Sequence, residues 1–355
     1  MVKRVTIILL PAGLLFYLIS QELMIILYSD KFKDSVEPFR IYMLMLPARV
    51  AYFGMLFQAA GKTRLVLYRA IITLSLNTII TYFLVRKFGM AGAAWGTVLA
   101  TLLECTILFI HFVWAKSNKS LNTRKVPKSL DGIRRLWSSG IPAGIQGAVD
   151  VLSWGVLVAA LISYYGEEAL AAGTILMRCM QLTFMPAEGV ATVVLTLVAN
   201  AVGRGSHEMA HAHVRTCFRI NSIFMLSAGI VLYVFREPIV SMFTDQPEVI
   251  SIACGGMLFV SLSQWFDSMN ITYLHALQGT GDTKWTSVAN VLLSVLILGI
   301  GGAIAVSHFR EKGPLVIWAL ALIYISCQGI LFWMRWRSEA WLKIRLRKPL
   351  REPLQ

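Results

Sequence analysis

The polar and apolar positions of this chain neither alternate in twos nor mark out one face of a soluble helix. They form long apolar blocks separated by short polar breaks. A helix needs about 20 mostly apolar residues to cross the hydrocarbon core of a bilayer, and on that scale the pattern predicts ten spans. These run approximately over 5 to 28, 37 to 59, 65 to 85, 90 to 114, 137 to 164, 169 to 201, 208 to 234, 249 to 277, 285 to 307 and 314 to 334. The blocks are about twice as long as the ten-residue strands of a membrane barrel, so helices are predicted throughout. The first block follows Met1-Val-Lys-Arg with no small-residue cleavage site, and reads as a retained helix.

Composition sharpens this picture. Of the 355 residues 57% are hydrophobic and 15% charged, against about 25% charged in ordinary globular chains. That balance excludes a disordered chain, a secreted disulfide-rich domain and an ordinary cytosolic protein. Five cysteines lie far apart with no CxxC, so they signal neither a disulfide framework nor a zinc ribbon.

The formal charge is +14. Taking the linker 116 to 136 as cytoplasmic and alternating sides from there places 22 of the 33 basic residues inside, eight outside and three (Arg49, Arg69, Arg178) within spans. The acids fall five inside, ten outside and four within spans. Such an asymmetry is the positive-inside rule at work. It predicts a plasma (inner) membrane protein with both termini cytoplasmic, and calls for no nucleic-acid partner.

The chain also repeats itself. Glu22-Leu-Met-Ile-Ile-Leu-Tyr-Ser-Asp30 answers Glu237-Pro-Ile-Val-Ser-Met-Phe-Thr-Asp245 at an offset of 215, and Gln58-Ala-Ala-Gly-Lys-Thr63 answers Gln278-Gly-Thr-Gly-Asp-Thr283 at 220. Spans one to four thus recur as spans seven to ten, and the even offset implies a parallel repeat about an axis along the membrane normal. Spans five and six have no upstream counterpart. The expected organisation is an incomplete four-span lobe (1–115), a basic cytoplasmic linker (116–136), a complete six-helix lobe (137–335) and a basic tail (336–355). Met1 then begins either a truncated reading frame or a natural ten-helix variant.

Several motifs in order resemble a family. Gly140-Ile-Pro142-Ala-Gly-Ile-Gln146, Asp150, Tyr165-Gly166, Phe184-Met-Pro186, Phe243-Thr-Asp245, Gln264-Trp-Phe-Asp267 and Leu277-Gln-Gly-Thr-Gly-Asp-Thr-Lys284 resemble the second lobe of the multidrug and toxic compound extrusion (MATE) transporters. Residues 1 to 115, with Phe39-Arg-Ile-Tyr42, Asn77 and Phe88-Gly89-Met-Ala-Gly92, are similar at least as much to the related polysaccharide and lipid-linked oligosaccharide flippases. The resemblance implies an all-α membrane fold of two pseudo-repeated bundles that rock around a central cavity. It implies an antiporter that exports amphipathic or cationic organic compounds against Na⁺ or H⁺, works as a monomer among membrane lipids, and needs no cofactor beyond the coupling ion. The alternative is a flippase in which Arg49, Arg69 or Arg178 contacts a diphosphate.

The acids within spans are the candidate chemistry. In the family, acids of the seventh and tenth helices take part in cation coupling, and the matching positions are Asp150 and Asp267. Elementary cost agrees: an Asp at mid-span costs about 2.5 to 3.5 kcal/mol on insertion scales, so it seeks a partner or a watery cavity. There a carboxylate can bind Na⁺ beside other oxygens, or carry a proton. Gln146, Gln264 and Asn270 are candidate neutral ligands. Ser263 replaces an aromatic hydroxyl that some relatives carry four residues before the tenth-helix acid. Pro142, eight residues before Asp150, is expected to open backbone carbonyls for the same site.

Other charges carry simpler expectations. Asp150 has an alternative reading as a structural ion pair with Arg178, which is expected to neutralise an acid rather than hold a phosphate. Glu104 and Arg49 are expected to pair in the first lobe or to line its cavity. Arg69, nearer a helix end, is expected to snorkel.

His207-Glu208-Met-Ala-His211 matches HExxH, in which two imidazoles share a helix face for zinc. It sits at a helix entry rather than mid-span, with no third ligand signalled, so a membrane zinc metalloprotease is the remote alternative. The expectation is a transporter with no catalytic residues and no resident metal.

Overall fold

The structure, a computed structural model, describes residues 11, 13–28, 34–45, 57, 63–114 and 130–343, and every regular element among them is helical. The chain forms two compact units, Met1–Ile133 and Arg134–Gln355. Arg49, the loop copies at 29–33 and 58–62, and most of the linker lie outside the described residues.

In the first unit, the described helical parts of the first two predicted spans include residues 13–18, α1 (Ser20–Tyr28) and α2 (Val36–Met43). Arg40 of α2 donates through Nε to Ser20 Oγ at 2.7 Å. Thr63–Trp114 is a helical hairpin whose arms, α3 (63–88) and α4 (90–114), join at Gly89. Gly89 has φ +57°, a backbone state that a residue without Cβ adopts without strain. The arms then run antiparallel at close range: a Cβ at Gly92 would strike the carbonyl of Leu84, and one at Gly96 would strike the hydroxyl of Thr81. Ile41 and Met45 cover Ala94 and Val98 of α4 in a small apolar core.

Arg69 of α3 meets Glu104 of α4 at 3.2 Å, with only 5% of the Arg69 side chain exposed. This corrects one expectation: Arg69 does not snorkel but pairs with Glu104. The hairpin supplies the reason, because it sets the two residues within side-chain reach on facing arms. The expected Glu104–Arg49 contact falls on a residue outside those described.

The second unit contains α5 (130–163), α6 (Glu167–Gly203), α7 (His207–Val234), the short α8 (Arg236–Ser241), α9 (Pro247–Gly279), α10 (283–308) and α11 (Leu315–Arg337). The six spans expected between 137 and 334 are all present. Seven stretches among the described residues, counting the hairpin as one, are long and apolar enough to cross a membrane. Large aliphatic side chains such as Leu182 and Ile223 are 71% exposed, a surface suited to lipid rather than water. The chain is therefore an all-α, multi-pass membrane protein.

Helix α9 is the axis of this unit. Its apolar residues are not confined to one face, as suits a helix surrounded by others, and it packs on α6, α7 and α11. Glycines set these approaches. A Cβ at Gly229 would lie 2.9 Å from the Ser261 carbonyl, one at Gly279 2.8 Å from that of Leu195, and one at Gly329 2.5 Å from that of Phe266. Membrane helices lack a hydrophobic drive to associate, and such close backbone contact supplies van der Waals packing instead.

The end of α9 explains the Gly-Thr-Gly-Asp motif. Gly281 takes φ +87°, and the Asp282 amide donates back to the Leu277 carbonyl at 3.0 Å. This closes the helix in a left-handed cap. Asp282 then accepts a bond from Arg335 Nε at 2.9 Å, tying the turn to the end of α11.

Two helices are irregular. α5 stays helical through Pro142 and instead widens into π-helical turns at Ser153–Val158. The break expected at the proline thus falls three residues after Asp150. α10 widens in the same way at Ser294–Gly301. The two stretches face one another, joined by a hydrogen bond between the Ser153 and Ser294 hydroxyls. Turns of this kind cluster at functional sites.

Candidate functional site

Asp150 lies on α5 one turn before its π-helical stretch, and Asn290 lies on α10 one turn before the matching stretch. The Asn290 amide donates to Asp150 Oδ1 at 2.8 Å. Its own carbonyl oxygen accepts from Tyr324 Oη at 3.0 Å and from Gln328 Nε2 at 2.6 Å, both on α11. Gln328 in turn accepts from Asn270 Nδ2 at 3.4 Å, and that same amide donates to Asp267 Oδ1 at 3.3 Å. The two carboxylates therefore sit at the ends of one polar path through three amides, drawn from α5, α9, α10 and α11.

The direction of the bonds matters. Amide donors point at both carboxylates and carbonyl oxygens point inward, so both ends are acceptor sites. Asp267 is 7% exposed, and among the described residues no cation is paired with either acid. Asn270 Oδ1, buried beside Asp267, has no hydrogen-bond partner among the described residues. An ionised carboxylate next to a spare carbonyl oxygen is the donor set that hard cations prefer.

The remaining expected residues divide. Gln146, one turn before Asp150, is buried and reached by Gln278 at 3.5 Å, which extends the polar lining along α5 and α9. Ser263 donates to its own helix at the Val260 carbonyl, and so does Gln264. Gln264 also presses its Cβ and Cγ towards Gly229 of α7, so neither residue joins the path. Arg178 is exposed and donates to Gln181 at 3.2 Å. Among the described residues it pairs with no acid, and in place of the Asp150–Arg178 pair Asp150 accepts from Asn290, while Arg178 turns to the exposed surface of α6.

His207 and His211 turn to aromatic surfaces. His211 lies 5.1 Å from the Trp336 ring and 5.7 Å from Trp341, with Glu339 at 3.5 Å, and His207 lies 5.8 Å from Trp341. The HExxH spacing here serves to seat the end of α11 on α7.

Asn290, Tyr324 and Gln328 were not singled out by sequence reasoning. The signal was available: each is a polar residue inside an apolar span, where an unsatisfied group is costly.

The fold and site define a helical membrane protein that holds one buried and one part-buried carboxylate in one bundle. Residues 148–303 match the MatE family model. The chain is 28% identical over 274 residues to the probable multidrug resistance protein NorM of Thermotoga maritima, covering 72% of this chain and 58% of that protein. It is 25% identical over 291 residues to the multidrug resistance protein MdtK of Photorhabdus laumondii, covering 78% and 63%. Its fold superposes on the eukaryotic MATE transporter AtDTX14 with a TM-score of 0.79 at 19% identity, covering 96% of this chain and 77% of that one. The middle of the chain is thus similar to the MatE family, and its fold is that of the solved MATE structures. The chain spans less than two thirds of the length of these two curated relatives.

Proposed function

We propose that this chain acts in cation-coupled export of amphipathic or cationic organic compounds across the plasma membrane, with Asp150 and Asp267 carrying the coupling Na⁺ or H⁺. The observation that supports this reading is the polar path itself: a buried and a part-buried carboxylate, each met by an amide donor and, among the described residues, neither by a cation. A bound cation would take its charge compensation from Asp267 and the spare oxygen of Asn270, or from Asp150. Only an ion that binds inward-open and outward-open states with different affinity can drive their exchange. The π-helical turns beside Asp150 and Asn290 are a joint at which loading is felt. Relatives bearing multidrug resistance names support the substrate class.

The test is efflux of ethidium from proteoliposomes under imposed Na⁺ or proton gradients. Asp150→Asn and Asp267→Asn should each lower gradient-driven efflux at least tenfold. If both variants couple like the native chain, the carboxylates are not the ion site.

A further inference from the structure

Glu188 and His275 stand outside the polar path. Glu188 lies on α6 two residues after Pro186, and His275 lies on α9 eight residues after Asp267. His275 Nε2 meets Glu188 Oε1 at 3.1 Å, and the imidazole is 13% exposed. The other ring nitrogen, Nδ1, lies 2.9 Å from the Ile271 carbonyl.

These two contacts fix a proton count. A peptide carbonyl only accepts, so Nδ1 carries a hydrogen. Nε2 faces a carboxylate oxygen, and two bare lone pairs do not attract, so a second hydrogen lies between them. It belongs either to an imidazolium facing a carboxylate or to a carboxylic acid facing a neutral imidazole. Both descriptions hold the same proton and both are neutral overall. Loss of that proton leaves one negative charge within the span.

The charged surroundings are sparse. Glu188 is the charged group that acts on His275. From α5 and from α9 itself, Asp150 and Asp267 each feel Glu188 electrostatically. α7 brings Arg215 towards Tyr273, two residues from the imidazole. On α11, Arg335 is held by Asp282, and Lys284 of α10 is exposed.

We propose that Glu188 and His275 bind one proton as a unit, and that this proton and a cation at Asp150 and Asp267 oppose each other. With the proton released, the negative charge of the pair strengthens cation binding at the two carboxylates. Linkage then requires a bound cation to weaken the hold on the proton by the same factor, since coupling between sites is reciprocal. The shared proton stands on its own geometry; the opposition to a cation rests on the transport reading above.

The test uses the full chain in lipid nanodiscs, labelled with ¹⁵N-histidine and titrated by NMR, with His275→Gln to assign the resonance. Glu188→Gln should weaken proton binding at His275 about tenfold or more, and Glu188→Asp should largely restore it. An unchanged His275 titration in Glu188→Gln overturns the shared proton. Should Glu188→Gln fail to fold, His275→Gln gives the second measurement: it should take up one proton fewer per chain between pH 9 and pH 6, and equal uptake overturns the proposal. For the linkage, ²²Na⁺ binding should weaken on acidification in the native chain and lose about tenfold of that dependence in Glu188→Gln. A pH dependence identical in the two chains overturns the opposition. Ethidium efflux separates the failures. If the native chain moves no dye while His275 still follows Glu188, transport fails and the proton site stands. If efflux requires Asp150 and Asp267 while His275 ignores Glu188, the proton site alone fails.

Discussion

In the hairpin of the N-terminal unit, the carboxylate of Glu104 faces the guanidinium of Arg69 at 3.2 Å. In the C-terminal unit, Asp150 and Asp267 face the amides of Asn290 and Asn270. All four acidic and basic groups lie within spans, yet they are compensated in different currencies. A carboxylate opposite an arginine has its charge cancelled and has little left to offer a mobile cation. A carboxylate opposite an amide has its hydrogen bonding satisfied but keeps its charge. The first arrangement locks two helices together; the second leaves a negative site whose occupancy can change.

That contrast can be broken by substitution. The largest stability effect is expected at Glu104→Leu, which takes the facing carboxylate away from a buried arginine and should cost about 3 to 5 kcal/mol, read as a lowered melting temperature in detergent. A double change, Arg69→Met with Glu104→Leu, should recover most of that loss. If the single change is harmless, the hairpin pair is not the lock described here. Next comes Gly329→Ala, whose added methyl would lie 2.5 Å from the Phe266 carbonyl. Overpacking of this kind costs about 1 to 3 kcal/mol.

Smaller effects sharpen the other side. Asp267→Asn removes a charge that no cation of the described chain offsets, so the melting temperature should hold or rise, within about 1 kcal/mol, even as coupling fails. A large destabilisation would instead place Asp267 among the structural groups. Tyr324→Phe removes one of two donors to Asn290 Oδ1, a change of about 1 kcal/mol, and should shift the Na⁺ or proton concentration for half-maximal efflux several-fold while sparing the fold. The smallest change is Gly144→Ala, where nothing lies within 4 Å of the added Cβ. Ala in place of Gly in an open helix position should stabilise by up to about 1 kcal/mol.

The spans were legible because bilayer thickness imposes a length that composition cannot hide. The two coupling candidates were legible because a carboxylate in hydrocarbon is too costly to be incidental. Their partners were not. Asp150 finds Asn290 140 positions away, and no local period announces which face of α10 turns towards α5. Arg178 misled for the same reason: adjacency of spans says nothing about which side of a helix a residue occupies. Arg69 and Glu104 were partly within reach of sequence reasoning, since opposite charges 20 and 15 residues from the Gly89 turn fall within side-chain reach in a hairpin, but only the facing sides of the two arms decide that they meet. Glu188, among the four acids placed within spans, was countable but unremarked, because its significance depends on an imidazole from another helix.

Gly329 deserves a mechanical reading. Its bare Cα lets the Phe266 carbonyl drop into α11 like a key in a slot, one residue before Asp267 on one helix and one after Gln328 on the other. Neither helix can slide or turn without lifting that key. The amide that reaches from α11 towards Asn270 is therefore aligned by an absent methyl group. On the proposed coupling, a motion set off by a cation would carry α9 and α11 together as a single strut and bend the molecule elsewhere.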